Sequence, residues 1–145
     1  VYHIDDAATQ ASQREGFFSV GDLATVDAAG RYQIVGRRRD MVISGGVNIY
    51  PAEIENTLIG MDGVRDCAVF GIPDDEFGER LMACIEQDAG AALTPKDVQE
   101  YLRKRLANFK VPKDIKFLDE LPREASGKIF KRKLRDPYWE NRASA

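Results

Sequence analysis

Residues 64–87 read VRDCAVFGIPDDEFGERLMACIEQ, two apolar runs separated by an acidic loop. Residues 64–72, uncharged from 67 to 72 and containing Val, Phe and Ile, read as a buried strand; residues 80–87 read as a second. The segment from Pro73 to Glu79 reads as the loop between them. Downstream, Thr94, Pro95 and Asp97 occupy the start of a helix: a side-chain oxygen at the N-cap, a proline at N1 where its missing N–H does no harm, and a carboxylate at N3. Val98, Leu102 and Leu106, with Tyr101, supply the apolar stripe, and Asn108 and Pro112 end the helix. A third strand is expected over residues 115–118, followed by a loop with a basic end over residues 121–135. Upstream, residues 41–44 (MVIS) read as a strand and Gly45-Gly46 as a turn. Pro51 opens another helix, with Ile54 and Leu58 one turn apart, Glu53 and Glu55 off that face, and Gly60 and Gly63 closing it. This order predicts an α+β fold, a small mainly antiparallel sheet with helices packed on it.

The segment before residue 40 is different. Residues 17–27 and 31–35 read as strands around Ala28-Ala29-Gly30, a β-hairpin. Residues 5–15 read as a weak helix or a loop, and GRRRD at 36–40 as a connector. A lone hairpin is marginal in water, so it either packs on the downstream sheet and helices or belongs to a body outside this chain.

At 145 residues the chain is one domain, or one plus a piece of another. No apolar run approaches the roughly 20 residues of a membrane span, and the N-terminus lacks a leader pattern, so a soluble, cytoplasmic protein is expected. Two cysteines, Cys67 and Cys84, make neither a disulfide framework nor a metal cluster and read as small buried apolar residues. One histidine, His3, excludes a multi-histidine metal site. The net charge of −3 hides a gradient: residues 103–135 carry twelve basic and four acidic groups. Such a segment suits a polyanion (nucleic acid, nucleotide or coenzyme A) or a solvated charged face.

Four stretches follow one another in order: FSVGDL at 18–23, GRRRD at 36–40, SGGVNIYPAEIE at 44–55 and LPREASGK at 121–128. Together they resemble the C-terminal part of the adenylate-forming superfamily, which includes acyl-CoA synthetases, firefly luciferase and nonribosomal-peptide adenylation domains. The resemblance runs from about residue 16 to about residue 135 and is nearest to a fatty-acyl- or aryl-CoA ligase. It implies that residues 1–38 are the end of a large N-terminal body and residues 39–145 a mobile lid over it. The body would carry the phosphate loop, the acyl pocket and the Mg²⁺ that rides with ATP.

The resemblance also assigns residues. Asp22, a carboxylate after Gly21 that could otherwise be an Asx-turn residue, would hold both ribose hydroxyls of ATP. Arg37 matches the arginine beside the same ribose; Val20 departs from the threonine common in the family. Arg39 matches the hinge position, and Arg38 stays a surface arginine. Gly45 and Gly46, otherwise a plain turn, would line the tunnel for the pantetheine arm of CoA, with Gly46 favoured because a Cβ there would narrow the slot. Phe109 and Lys110 pair an aromatic with a cation, suited to adenine and a phosphate of CoA; the alternative for Phe109 is a core aromatic. Lys128 matches the catalytic lysine, whose ammonium offsets the repulsion between an attacking carboxylate and the α-phosphate. Ser126 and Gly127 would leave its loop free to deliver it, and also accessible to a lysine acetyltransferase.

The leading expectation is therefore the C-terminal fragment of an ATP-dependent acyl-CoA synthetase, inactive alone, using ATP, CoA and Mg²⁺ with its body. The first rival is the lid of a nonribosomal-type adenylation domain; the 17 residues after Lys128 are too few for a tethered carrier domain of the usual ~50 or more, which favours free CoA. The second is a stand-alone nucleotide- or RNA-binding module, which leaves Asp22, Gly46 and Lys128 unexplained.

Overall fold

The computed structural model describes residues 6–15 and 17–143, so His3 lies outside the described residues. The chain divides into two compact units, Val1–Arg39 and Asp40–Ala145.

In the first unit α1 (Asp6–Ser12) precedes two small antiparallel pairs, β1 (Gln13–Arg14) with β2 (Phe17–Phe18), and β3 (Asp22–Val26) with β4 (Tyr32–Arg37). The single strand expected over residues 17–27 is broken. Gly21 sits at φ +76°, its N–H donates to Ser19 Oγ (3.3 Å), and its carbonyl accepts from Arg38 N–H (2.8 Å). The hairpin turn is held by Asp27, whose Oδ1 accepts from the Ala29 and Arg31 amides. Tyr32 and Ile34 on β4 are exposed.

The second unit is a five-stranded sheet between helices. Its strands are β5 (Val42–Ser44), β6 (Val47–Ile49), β7 (Val64–Asp74), β8 (Gly78–Gln87) and β9 (Asp114–Leu118); its helices are α2 (Pro51–Ile59), α3 (Pro95–Arg103) and α4 (Lys131–Ala143). Strand β8 is central. One edge pairs antiparallel with β7; the other meets β5 at Gly78 and then β9 from Met82 to Glu86. The β8–β9 pairing is parallel, so the sheet is mixed at that edge and antiparallel elsewhere.

Two-residue periodicity sorts the apolar side chains of β7 and β8 onto the two faces. Cys67 and Val69 of β7 join Leu81, Ala83 and Ile85 of β8 in one cluster with Ile54, Leu58, Val98 and Leu102 of α2 and α3. Phe70, Ile72, Met82 and Cys84 join Leu121 in a second cluster, against Leu134 and Tyr138 of α4. The cysteines thus lie buried on opposite faces. Desolvation pushes the Cys67 thiol up to about 12 and Cys84 up to about 11, which keeps both protonated and inert.

Four expectations for this unit need correction. The loop expected over residues 73–79 shrinks to residues 75–77, because β7 runs to Asp74 and β8 begins at Gly78. Residues 131–143 form α4 where a basic loop was expected. Pro137 inside the helix and the run of basic residues hide it, while Leu134 and Tyr138, four apart, give it an apolar face. Helix α3 stops at Arg103 rather than running to Asn108, and Asn108–Lys110 form a separate 3₁₀ turn. Residues after the Gly45-Gly46 turn form an additional strand, β6, paired to β5.

The free edge of β7 is covered by side chains. Glu55 accepts the Val69 N–H (2.6 Å), Asp66 that of Cys67 (2.9 Å), and the Trp139 indole donates to the Gly71 carbonyl (3.1 Å). Glu55 also lies 2.6 Å from Lys131, joining α2 to the start of α4.

Candidate functional site

The capping box of α3 forms as its residue types require. Asp97 N–H donates to Thr94 Oγ1 (3.3 Å), and Asp97 Oδ2 accepts from the Thr94 amide (2.8 Å). The Thr94 hydroxyl, donating to Asp97 Oδ2 at 2.6 Å, and then the Thr94 amide hold the Asp97 carboxyl below its usual range. The helix anchors the stretch after it, so that Asn108, Phe109, Val111 and Lys113 face the β5–β6 turn and the β7–β8 turn. Between them lies a groove of about 290 Å³, lined also by Ser44, Gly45, Phe77 and Arg80.

Two aromatic rings border this groove. Phe109 is 54% exposed and Phe77 41% exposed, which overturns the alternative of a core Phe109. Each has a cation near its face: Lys113 Nζ is 5.5 Å from the Phe77 ring centroid and Lys110 Nζ 5.8 Å from that of Phe109. The Phe77 turn is built by Asp74, whose Oδ1 accepts from the Phe77 and Glu76 amides (2.9 and 3.0 Å); the Phe77 bond leads in holding that carboxyl below its usual range. Arg80 is fixed by Asp114 (2.7 Å) and Asp74 (3.4 Å).

Gly45 is the glycine this groove requires. Its φ is +56°, its N–H donates to the Phe77 carbonyl (2.9 Å), and a Cβ on it would stand 3.0 Å from the Phe77 ring. Gly46, favoured from the sequence, has φ +79°, and a Cβ there meets nothing within 4 Å. Its requirement for glycine within this chain is conformational.

Lys110 belongs to an ion pair, its Nζ lying 2.7 Å from Glu53 of α2. Arg123 pairs with Asp66 and Lys131 with Glu55 in the same way. Acidic groups of the earlier elements thus pair three of the twelve basic groups over residues 103–135.

Lys128 is exposed on a loop closed by an antiparallel bridge between Arg123 and Ile129. The Glu124 amide donates to the Lys128 carbonyl (2.8 Å), the Gly127 amide to the Glu124 carbonyl (2.8 Å), and Phe130 N–H to the Pro122 carbonyl (2.7 Å). Gly127 sits at φ +82°, as this turn demands. The loop is a hydrogen-bonded turn rather than the free tether expected from Ser126 and Gly127. The aromatic groove and the Lys128 loop share no residue.

In the first unit Asp22 and Arg37 are register partners across β3 and β4, with Arg37 Nε 3.7 Å from Asp22 Oδ1. Both side chains are open to solvent, beside a cleft lined by Ser12, Ser19, Val20, Gly21 and residues 37–39. The boundary between the two units falls directly after Arg39. Among the described residues, no three His, Cys, Asp or Glu side chains converge as metal ligands, and no helix is long and apolar enough to cross a membrane.

Residues 53–128 match the model of the AMP-binding enzyme C-terminal domain, more than half of the chain. The chain belongs to this family. It is 48% identical over 128 residues to a feruloyl-CoA synthase of an Amycolatopsis species, a match covering 88% of this chain and 26% of that protein. Against ATP-bound MatB of Rhodopseudomonas palustris the TM-score is 0.83 at 42% identity, covering 91% of this chain and 26% of that one. Against the o-succinylbenzoate CoA synthetase of Bacillus subtilis in complex with its acyl-adenylate intermediate it is 0.85 at 34% identity, covering 92% and 27%. The chain therefore spans about a quarter of the length of the relatives it matches. Sequence reasoning missed Phe77, Arg80 and Lys113 in the groove. The available signal was Phe77 itself, the one aromatic in an otherwise acidic turn.

Proposed function

We propose that this chain is the C-terminal quarter of an AMP-forming acyl-CoA ligase, with residues 1–38 ending the body and residues 39–145 forming a lid that pivots at Arg39. The reading rests on the family match over residues 53–128 and on one compact unit that carries an exposed lysine loop and an aromatic groove with no residue in common. Two sites on one lid suit a reaction in two halves, each using a different face.

In the first half a carboxylate oxygen attacks the α-phosphorus of ATP, the bond to the β-phosphate oxygen breaks, and pyrophosphate leaves. Lys128 stands between the two anions and stabilises charge on the phosphate in the transition state. Asp22 accepts hydrogen bonds from the ribose hydroxyls, and Arg37, its cross-strand partner, keeps that carboxylate oriented. The Mg²⁺ that accompanies ATP is assigned to the body. In the second half CoA supplies the thiol that displaces AMP from the acyl carbon. Its adenine fits between Phe77 and Phe109, Lys113 and Lys110 lie where its phosphates leave the slot, and Gly45 keeps the adjoining turn low. The acid, aryl or fatty, is chosen by the body.

The test is an acid screen on the full-length protein, read as pyrophosphate release with and without CoA. The reading expects acid-dependent pyrophosphate release, and AMP plus acyl-CoA once CoA is added. Failure of every aryl and fatty acid to release pyrophosphate would refute it.

A further inference from the structure

The lysine loop is held from below by an arrangement that no motif records. Asp66 of β7 and Glu86 of β8 are register partners on neighbouring strands. Like charges directly opposite in a sheet destabilise it, and Glu86 is buried, 5% exposed. Arg123 answers both. Its Nη2 lies 2.7 Å from Asp66 Oδ2 and 3.7 Å from Glu86 Oε2. Arg65 adds a contact of 3.4 Å to the other Glu86 oxygen, and a register shift between Val64 and Asp66 brings these side chains together.

The same guanidinium reaches into the loop. Arg123 Nη1 donates to the Gly127 carbonyl (3.1 Å), one peptide before Lys128. Glu86 Oε2 meanwhile accepts the amide of Leu121 (3.0 Å), the buried residue that roots the segment. Both ends of the loop are thus tied to one cross-strand acid pair, the start through Leu121 and the far side through Arg123. A guanidinium can do this because its donors diverge in a fixed plane; an ammonium offers no such fork.

We propose that Arg123, seated on Asp66 and Glu86, is the positioning residue that sets the direction in which Lys128 is presented. It touches no substrate and acts through the Gly127 carbonyl. The inference rests on the role given above to Lys128, and the experiment separates the two.

Arg123→Ala, Arg123→Lys, Asp66→Asn and Lys128→Ala are made in the full-length protein and both half-reactions are measured on each. A misplacement near 1 Å costs on the order of 10²-fold, so Arg123→Ala should lower kcat for pyrophosphate release by roughly 10- to 100-fold with KM for ATP nearly unchanged. Thioester formation from supplied acyl-AMP should stay close to wild type. Arg123→Lys should keep the melting temperature, since charge remains beside Asp66, yet recover little of kcat. Asp66→Asn should show a smaller loss of the same kind. Hydrogen exchange over residues 121–130 should quicken about tenfold in Arg123→Ala, the loss of one charge-assisted hydrogen bond. Wild-type adenylation in Arg123→Ala, full recovery in Arg123→Lys, or equal losses in both half-reactions would each overturn the inference. If Lys128→Ala slows adenylation and Arg123→Ala does not, only the positioning role fails. If Lys128→Ala is itself without effect, the assignment of Lys128 fails and this inference falls with it.

Discussion

Truncating Phe109 to alanine separates the aromatic groove's function from the fold. Full burial of a Phe side chain is worth about 1.5–3 kcal/mol, but Phe109 is already 54% exposed. It forms no part of either core cluster, so Phe109→Ala should cost the fold about 1 kcal/mol at most. Stacking of a base on an aromatic side chain contributes roughly 1–3 kcal/mol. At 1.4 kcal/mol per decade, that predicts a rise of about 5- to 150-fold in the Michaelis constant for CoA. The assay is thioester formation at varied CoA in the full-length protein, with acid-dependent pyrophosphate release measured alongside. The second rate should not move, because the groove shares no residue with the Lys128 loop. Phe77→Ala should behave alike and the β7–β8 turn should survive it, because Gly45 N–H and the Asp74 carboxylate bond to that residue's backbone, which alanine retains. An unchanged CoA constant in Phe109→Ala would refute the stacking argument.

Three further outcomes rest on the geometry. Glu53 holds Lys110 at 2.7 Å, so Glu53→Gln should release the cation and lower the CoA constant about 2- to 5-fold at low salt, the range of an exposed ion pair, with the gain fading as salt rises; Lys110→Ala should move the constant the other way. Arg39→Pro fixes φ near −65° at the proposed pivot, so it should damage one half-reaction far more than the other; equal losses in a folded protein would argue against a hinge. Asp97's carboxyl is held below its usual range by its bonds from Thr94, so its contribution is present above the unfolded carboxylate range near ~4 and lost as pH falls through the lower folded value. The melting-temperature gap between wild type and Asp97→Asn should accordingly be constant from neutral pH to about 5 and close below about 4.

What could be read from the sequence was local or carried by a motif. Thr94, Pro95 and Asp97 specify their helix start within four residues, and the bonds form as their chemistry dictates. The apolar runs of β7 and β8 reveal strands because both of their faces are buried. Helix α4 was hidden because its interior proline and its many charged residues outweigh two apolar contacts, Leu134 and Tyr138, that only the sheet face makes favourable. The groove was half legible for a related reason. Phe109 and Lys110 lie in one stretch, but Phe77 reaches them only through the turn between two strands, and Lys113 through the parallel crossover into β9. Likewise Ser126 and Gly127 signal a turn in any sequence, whereas its attachment through Arg123 to Asp66 and Glu86 depends on a strand register that local sequence does not encode.

Lys128 is proposed to act in joining carboxylate to α-phosphate and not in transferring the acyl group. Measuring the two half-reactions separately on Lys128→Ala in the full-length protein tests it most directly. Loss of one stabilising donor predicts adenylation slower by about 10²–10³-fold, with thioester formation from supplied acyl-AMP falling far less. Acetylation of the same amine should reproduce that pattern, since the charge is lost while the chain remains. Unchanged adenylation would make Lys128 an ordinary surface lysine and contradict the account.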